Sequence, residues 1–306
     1  MPHDHVHIDA EGGDRRIALA VIVNLGLSVA QIIGGILSGS LSLIADAIHN
    51  LSDAISLIIA FGARKIARRP ADASMTYGYA RAETVAALIN YTTLIVIALY
   101  LVYEGVTRFL DPQGVDGWLV VFIAAIALVV DIITALLTWR MAKDSMNIRA
   151  AFLHNLADAL GSVAVIVAGT LIILYGWNIV DPIATLLIAA YILWHASREI
   201  GDVIRVLMQG APHSVSAEQA LETIQNVDGV NNVFHLHLWM MDEHVPTLEA
   251  HVTIDEGRWK DADAIKDQLK AALGEIGITH STVEMECHRH RTLNPSQIGH
   301  AAPHRH

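Results

Sequence analysis

The sequence predicts an α-helical membrane protein that ends in a small α+β domain. Hydrophobic residues make up 53% of the 306 residues, and the mean hydropathy is +0.43. Long apolar stretches fill the first two thirds of the chain, whereas the last third alternates short apolar and polar runs. Because about 20 apolar residues cross a bilayer as a helix, the first part is expected to lie in the membrane.

Six membrane-spanning helices are predicted. They lie near residues 17–38, 41–63, 83–104, 117–139, 152–175 and 180–200. The first apolar stretch is too internal, and is followed by too many others, to be a cleaved signal peptide. It is therefore expected to stay in the mature chain.

Basic residues in the loops predict the orientation of these helices. The loops after the second and fourth spans are rich in arginine and lysine, whereas the opposite loops contain only Arg108. The basic residues are Arg64, Lys65, Arg68, Arg69, Arg81, Arg140, Lys143 and Arg149. The positive-inside rule therefore predicts that both termini face the cytoplasm.

The last third of the chain predicts an αββαβ domain. Ser216 and Gln219 form a capping box that begins a helix, and Asp228-Gly229 marks a turn after it. Two strands with period-two alternation, a helix in ADAIKDQLKAAL and a strand in STVEMEC follow. The predicted parts are a disordered His-containing tail at 1–14, the membrane domain at 15–207, the α+β domain at 208–290 and a disordered His-containing tail at 291–306.

Alternation also assigns the strand side chains to two faces. The face expected to pack on the helices contains Phe234, Leu236, Leu238, Leu248, Ala250, Val252, Val283 and Met285. The opposite face contains His235, His237, Trp239, Glu249, His251, Glu284, Glu286 and His288. This second face is either an ordinary solvated surface or a metal-binding surface, and its cluster of His and Glu favours metal.

Charge and cysteine content exclude some functions. From residue 208 onward the chain has fourteen Asp and Glu against seven Lys and Arg, so the tail holds most of the net charge of −11. Nucleic acid is therefore not an expected partner. Cys287 is the single cysteine, which excludes an intrachain disulfide and a site built from several thiolates.

Two matched heptads place ionisable side chains inside predicted membrane helices. One reads HNLSDAI from His49, and the other reads HNLADAL from His154. Positions i and i+4 share one face of a helix, so each His can hold an ion together with Asp53 or Asp158. Two such helices packed together would present two imidazoles and two carboxylates, which is a closed tetrahedral site of the kind that Zn²⁺ accepts.

Charge balance supports a transport role for this group. An ionised carboxylate at membrane depth is costly and is usually functional. Two carboxylates beside one divalent cation are neutral together, and protons can restore neutrality when the cation leaves. The alternative is a pair of His–Asp hydrogen bonds that only hold helices together. The repetition favours the ion site, because many transporters bind their substrate where related helices meet.

The combination of motifs resembles a known family. The paired heptads, the loop YGYARAE at 77–83, the six spans and the tail segment VFHLHLW are similar to the cation diffusion facilitator family of metal/proton antiporters. The resemblance covers about residues 15–290. It implies export of Zn²⁺ from the cytoplasm in exchange for protons by alternating access. Alternatives are a carrier that prefers Cd²⁺, Co²⁺ or another divalent cation, and a membrane-anchored metal sensor.

The resemblance also implies which residues bind metal. His49, Asp53, His154 and Asp158 match the transport site, and two His with two Asp are typical of zinc-type members. The cytoplasmic domain is implied to be metallochaperone-like, to bind zinc and to form a homodimer, in a chain surrounded by the lipids of a bacterial plasma membrane. The implied cytoplasmic ligands are His235, His251, Glu284 and Glu286, with His237, His280 and His288 as alternates.

One loop departs from the family pattern. Some members bind a second metal between spans two and three through an Asp followed three and seven residues later by His. Here these positions are Asp72, Met75 and Tyr79. A metal site in this loop is therefore not expected.

Two further aspartates lie inside predicted spans. Asp46 either lines an exit pathway or extends toward water at the outer end of span two. Asp131 either lines the proton or ion pathway or makes a polar contact with Asn24 or Asn90. An enzyme is not expected, because the chain has neither the H-E-x-x-H of a metallohydrolase nor the two E-x-x-H motifs of a di-iron bundle.

Overall fold

Six long helices form the apolar part of the chain. They are α1 (Ala10–Ser38), α2 (Leu41–Ala67), α3 (Ala82–Leu110), α4 (Gly117–Trp139), α5 (Met146–Tyr175) and α6 (Val180–Leu207). The computed structural model describes the backbone of residues 10–139, 146–287 and 297–299, and the side chains within these ranges outside 10–21, 23, 57, 137–139 and 146–155.

The helices agree with the predicted membrane spans. Each of α2 to α6 contains a stretch that is long and apolar enough to cross a membrane, while the described apolar stretch of α1 is the shorter Asn24–Ser38. Several helices continue past the predicted spans; α6, for example, ends at Leu207 and has Arg205 in its last turn. Such ends extend because helical hydrogen bonding does not stop where the apolar sequence stops. The predicted fold class is confirmed.

The chain forms two compact units, which are described separately. The first contains the described residues up to Phe61 together with Ile89–Glu199, and the second contains Gly62–Leu88 together with the described residues from Ile200 onward. The first unit therefore holds most of the apolar helices. The second holds the α+β domain and the segment that joins α2 to α3.

Glycines allow α4 and α5 to pack closely. A Cβ atom built on Gly117 would lie 2.7 Å from the carbonyl oxygen of Gly169, and one built on Gly169 would lie 2.8 Å from Cγ2 of Val121. Neither position can accept a side chain without a shift of its neighbour. Close approach of small residues is a common basis of helix association in membranes, where lipid removes the usual hydrophobic driving force. This contact positions α5, which carries the second heptad.

A carboxylate on α6 caps the first turn of α2. Asp181 is 1% exposed, and its Oδ2 accepts a hydrogen bond of 2.8 Å from the amide of Leu41. Its Oδ1 accepts hydrogen bonds of 2.6 Å from the hydroxyls of both Ser40 and Ser42. Acidic side chains are stabilised at helix N-termini, where amide groups lack partners within the helix. Asp181 thereby fixes the start of the helix that carries His49.

The second unit contains the predicted αββαβ domain. Its elements are α7 (Ala217–Gln225), β1 (Val230–Met240), β2 (Pro246–Ile254), a 3₁₀ turn (Trp259–Asp261), α8 (Ala262–Glu275) and β3 (His280–Cys287). The sheet order is β1-β2-β3, with β1 antiparallel and β3 parallel to the central β2. Ser216 caps α7 by accepting a hydrogen bond from the Gln219 amide, as the capping box predicted.

One face of the sheet forms the core with the two helices. Leu236, Leu238, Leu248, Ala250 and Val252 lie in this core, as alternation predicted. The prediction for Phe234 is wrong. It pairs with His251 on the opposite face, and Val233 takes its place in the core.

A β-bulge is the reason for this exchange. The register of β1 against β2 shifts between Phe234 and His237, and His235 has a left-handed φ of 55°. A bulge adds one residue to a strand and so reverses the alternation of the residues before it.

The C-terminal tail contacts the edge of the sheet. The amide of Leu236 donates to the carbonyl of Gln297 at 3.1 Å, and the amide of Gly299 donates to the carbonyl of Leu236 at 2.9 Å. The tail at 291–306, predicted to be disordered, thus includes residues that pair with β1 at 297–299. The physical reason is that β1 is an edge strand, whose outer N–H and C=O groups remain available for pairing.

The segment between α2 and α3 also contacts the α+β domain. The guanidinium group of Arg81 donates from Nε to the carbonyl of Met241 at 2.8 Å and from Nη2 to the carbonyl of Met240 at 3.3 Å. Both carbonyls lie at the end of β1. Arg81 therefore has a structural contact in addition to its contribution to the positive charge of this loop.

We expect Asp181→Ala to destabilise the start of α2. The change leaves buried donors without an acceptor and should lower the free energy of unfolding by about 2 kcal/mol or more. Hydrogen exchange followed by mass spectrometry should show faster exchange at Leu41–Leu43. Asp116→Ala is a matched control, because Asp116 caps its own helix α4 at an exposed position and should cost only about 1 kcal/mol. Equal protection of α2 in both variants would contradict the proposed cap.

Candidate metal centres

Three of the four predicted transport-site residues lie together. Nε2 of His49 is 3.4 Å from Oδ1 of Asp158 and 3.9 Å from Oδ2 of Asp53. One ligand atom from each of the three residues lies within 4.8 Å of the others, which is a spacing that one metal ion can bridge. Asp158 belongs to α5, so the group connects two helices rather than one heptad. We call these three residues the intramembrane group.

The helical repeat explains this arrangement. His49 and Asp53 are one turn apart on α2, and their side chains are 12% and 28% exposed. Asp158 is 9% exposed and approaches the same imidazole from α5. His154 lies one turn before Asp158 in α5, but its side chain is outside the described residues. The structure therefore brings together one nitrogen donor and two carboxylates of the predicted set.

An aromatic residue that sequence analysis missed borders this group. Tyr191 of α6 meets the His49 ring edge-on, with ring centroids 6.1 Å apart and an interplanar angle of 88°. The same tyrosine stacks on His195, with centroids 6.3 Å apart. A signal was present, because these two residues occupy positions i and i+4 of an apolar helix. Without a known neighbour, however, that spacing did not indicate which helix they faced.

Two buried pairs lie beyond the intramembrane group. Asp46 is 3% exposed and accepts a 2.7 Å hydrogen bond from Nε2 of Gln31 on α1. Asp131 accepts a 3.0 Å hydrogen bond from the hydroxyl of Ser162 on α5. The alternative that Asp46 extends toward water is therefore wrong, because the carboxylate is held inside the bundle. Gln31 and Ser162 were missed, since a single amide or hydroxyl in an apolar helix is a weak sequence signal.

The outer face of the α+β domain holds a second group. Nδ1 of His251 lies 2.8 Å from Oε1 of Glu286, and Nε2 lies 3.6 Å from Oε2 of Glu284. Both nitrogens of the imidazole therefore face a carboxylate. In the register, His251 pairs with Glu284 of the parallel neighbour β3, which explains their proximity. We call these three residues the cytoplasmic group.

The bulge in β1 adds a further imidazole beside this group. The ring centroid of His235 is 5.0 Å from that of His251 and 4.9 Å from that of His237. His280 begins β3 four residues before Glu284, which corresponds to about 13 Å along the strand. Of the alternates, His237 thus lies beside His235, and His280 is distant from the group. His288 lies outside the described residues.

Protein donors surround Asp72, which lies in the loop that departs from the family pattern. Oδ1 of Asp72 accepts from the amide and the hydroxyl of Ser74 and from the amide of Met75, at 2.6–3.0 Å. Oδ2 accepts a 2.7 Å hydrogen bond from the hydroxyl of Tyr79. The hydrogen bonds from Ser74 and then from Tyr79 hold the pKa of Asp72 well below its usual range. The carboxylate is thus engaged in the structure of the loop.

Comparison with known proteins shows the family. Residues 17–208 match the cation efflux transmembrane domain, and residues 212–288 match the cytoplasmic domain of cation efflux proteins. The chain belongs to the cation efflux family. This is the cation diffusion facilitator family that the sequence resembles, so the predicted membership is confirmed. Because the chain matches this transmembrane domain and has helices apolar enough to cross a membrane, it is an integral membrane protein.

Curated relatives of this cation efflux protein match almost its entire length. The "Cadmium, cobalt and zinc/H(+)-K(+) antiporter" of Bacillus subtilis (strain 168) is 36% identical over 301 residues, covering 96% of this chain and 94% of the relative. The zinc transporter ZitB of Escherichia coli (strain K12) is 36% identical, covering 99% and 100%. The metal cation efflux system protein CzcD of Cupriavidus metallidurans is 30% identical, covering 99% and 94%.

We expect Tyr79→Phe to raise the pKa of Asp72 toward its usual range, because the change removes one donor to the carboxylate. The depressed pKa of Asp72 contributes stability above the unfolded pKa of about 4, and this stability is lost as the pH falls below that value. In the variant this contribution should be smaller, and its loss should be complete at a higher pH. Carbon-detected NMR titration of the Asp72 carboxyl measures the shift. Tyr77→Phe, at an exposed position in the same loop, is the control, and an equal shift in both variants would contradict the assignment.

Proposed function

We propose that this protein exports divalent metal cations, with Zn²⁺ as the main substrate, from the cytoplasm in exchange for protons. The observation that carries the proposal is the intramembrane group, in which His49 and Asp158 meet from two membrane helices. Relatives that match the whole chain are named as zinc, cadmium and cobalt transporters or antiporters. The proposed activity is transport, with no covalent change to the substrate.

Charge balance explains how such a group exchanges metal for protons. A divalent cation neutralises Asp53 and Asp158, while His49 and His154 supply nitrogen ligands in the zinc-type tetrahedron. When the group opens to a more acidic side, protons compete with the metal for the same ligand atoms and release it. Alternating access of this one group to the two sides then couples the two fluxes.

The position of the group is consistent with its role as a cargo site. His49 and Asp158 are largely buried in the described structure, yet Asp53 keeps 28% of its side chain exposed. A partly exposed ligand gives the ion a route into an otherwise enclosed site. The proposed orientation, with both termini in the cytoplasm of a bacterial plasma membrane, follows from the basic loops.

The cytoplasmic group is proposed as a second zinc site, one that remains occupied rather than transporting its ion. His251, Glu284 and Glu286 supply three ligands, and His235 supplies a fourth nitrogen after a small movement. Glu284 is 66% exposed, so one side of the site is open. The proposed homodimer would cover this face of the sheet and join the regulatory domains of two copies.

The carrier is proposed to prefer Zn²⁺ without excluding Cd²⁺ or Co²⁺. Cd²⁺ and Co²⁺ also accept two nitrogens and two oxygens in a tetrahedron, and ligand type alone does not rank them. The name of the Bacillus subtilis relative includes both metals. Competition among the three metals for flux into the same liposomes would rank them directly.

We expect His49→Ala and Asp158→Asn each to reduce zinc flux more than about tenfold, because each change removes a ligand of the ion. Purified protein in liposomes with an internal zinc dye and an internal pH dye measures both fluxes. His213→Ala is the control, because His213 is exposed and contacts only the exposed Asp202 in the described structure. Full flux in either ligand variant would contradict the assignment and favour a metal sensor. Zinc flux without opposing proton flux would contradict antiport.

We expect His251→Ala to remove about one bound zinc per chain from the full-length protein, because its imidazole is the ligand that all other members of the cytoplasmic group face. Metal analysis after gel filtration gives the number of ions. His280→Ala should retain that zinc, since this residue lies at the far end of β3. Loss of zinc in His280→Ala but not in His251→Ala would contradict the proposed ligand set.

A further inference from the structure

The C-terminal tail covers the outer edge of β1 at one point. Ile298 forms a parallel bridge with Leu236, and its two neighbours in the chain supply the hydrogen bonds of that bridge. The carbonyl of Gln297 accepts from the amide of Leu236, and the amide of Gly299 donates to the carbonyl of Leu236. Both polar backbone groups of Leu236 are therefore bonded to the tail. We call residues 297–299 the tail strap.

The tail strap contacts β1 at its bulge. His235 and Leu236 are the two residues of β1 that lie opposite Ala250 alone in β2. A bulge interrupts the ladder of hydrogen bonds between two strands and leaves a residue without its regular partner. The strap thus supplies, at the bulge, partners for Leu236 that the register with β2 does not provide.

The bulge holds His235 in a strained backbone conformation. Its φ of 55° is left-handed, and this region costs free energy for a residue that has a Cβ atom. The net contribution of two hydrogen bonds to stability is of the same order as that cost. Because the strap bonds to the residue that follows His235, its two hydrogen bonds can offset the strain.

This conformation brings a nitrogen donor to the cytoplasmic group. The ring centroid of His235 lies 5.0 Å from that of His251. Within the group, Oε2 of Glu286 is buried and accepts no hydrogen bond from any described residue. Buried acceptors are nearly always satisfied by protein or by a bound species, which fits a cation held among these side chains. A change of φ at His235 would redirect its Cβ atom and carry the imidazole away from this point.

We propose that the tail strap is a positioning element of the cytoplasmic zinc site. By bonding to Leu236, it holds the bulge in the conformation that directs His235 toward His251. This inference rests on the proposed function of the cytoplasmic group. Coupling between two binding events is reciprocal, so zinc at the group would in turn hold the strap more tightly on β1. Zinc occupancy would then be linked to the position of the C-terminal tail.

Variants of Gly299 in the full-length protein test this proposal. Gly299 has a φ of 70°, and nothing lies within 4 Å of a Cβ atom built on it. Gly299→Pro removes the amide donor and cannot adopt this φ, whereas Gly299→Ala adds only backbone strain. Gly277→Ala is the matched control, because Gly277 has a φ of 89° and is equally open but lies between α8 and β3. His300→Ala removes the imidazole that is next in sequence and keeps the backbone groups of the strap.

Zinc affinity and hydrogen exchange are both measured, on detergent-solubilised protein. Every variant also carries His49→Ala, which removes a ligand of the proposed transport site and leaves the cytoplasmic group intact. Titration against a competing chelator gives the zinc affinity of that group. Hydrogen exchange followed by mass spectrometry reports the opening of the Leu236 amide, because this amide donates to the strap.

The expected result is that loss of the strap weakens zinc binding. Gly299→Pro should speed exchange at Leu236 and lower zinc affinity by roughly tenfold, as is typical when a group that orients a metal ligand is lost. Gly299→Ala should act in the same direction with a smaller effect, and the two control variants should leave the affinity unchanged. By reciprocity, saturating zinc should slow exchange at Leu236 by roughly tenfold when the strap is intact, and by much less in Gly299→Pro.

Three results would overturn the proposal. Faster exchange at Leu236 in Gly299→Pro with unchanged zinc affinity would show that the strap only covers the edge of β1. An equal loss of affinity in Gly277→Ala would show general destabilisation of the domain, and an equal loss in His300→Ala would assign the effect to a tail imidazole. Absence of zinc from the cytoplasmic group even with an intact strap would instead contradict the proposed second zinc site. Exchange at Leu236 separates these failures, because it reports the strap without zinc.

Discussion

Every carboxylate buried in the helical bundle must be matched by donors or by positive charge, and this constraint organises the first unit. Asp181 satisfies this constraint with hydrogen-bond donors of the protein alone, namely two hydroxyls and the free amides at the start of α2. It therefore has a structural role. Asp158 and Asp53 instead face an imidazole, whose nitrogen can bind a metal or a proton. The difference in partner distinguishes a carboxylate that fixes a helix from one that, in the proposed function, holds a cargo ion.

The same rule connects the two candidate metal centres. In each, an imidazole lies between two carboxylates, and the local backbone explains why. On α2 the helical repeat brings His49 and Asp53 to one face, and close packing through Gly117 and Gly169 positions α5 with Asp158. In the α+β domain the parallel pairing of β2 with β3 places His251 beside Glu284, and the bulge directs His235 toward the same point. In the proposed function the buried site serves exchange, and the exposed site serves regulation.

Much of the fold could be predicted, because it depends on local periodicity. Apolar length predicted the six helices, and alternation predicted the three strands and most of their faces. Phe234 was assigned to the wrong face because a bulge changes the alternation without a distinctive residue such as glycine. The partners of Asp46, Asp131 and His49 could not be predicted, since Gln31, Ser162 and Tyr191 come from other helices. The pairing of residues 297–299 with β1 also depends on which strand lies at the edge, which the sequence order alone does not reveal.

In the proposed function α2 and α5 together enclose one zinc ion with two imidazoles and two carboxylates. X-ray absorption at the zinc edge tests it most directly, on full-length protein that carries His251→Ala and holds one zinc per chain. We expect four nitrogen or oxygen ligands at about 2.0–2.1 Å, with outer-shell scattering from two imidazoles. Adding His49→Ala should remove one imidazole from the spectrum. A shell of six oxygens, or an unchanged two-imidazole spectrum after His49→Ala, would contradict this ligand set.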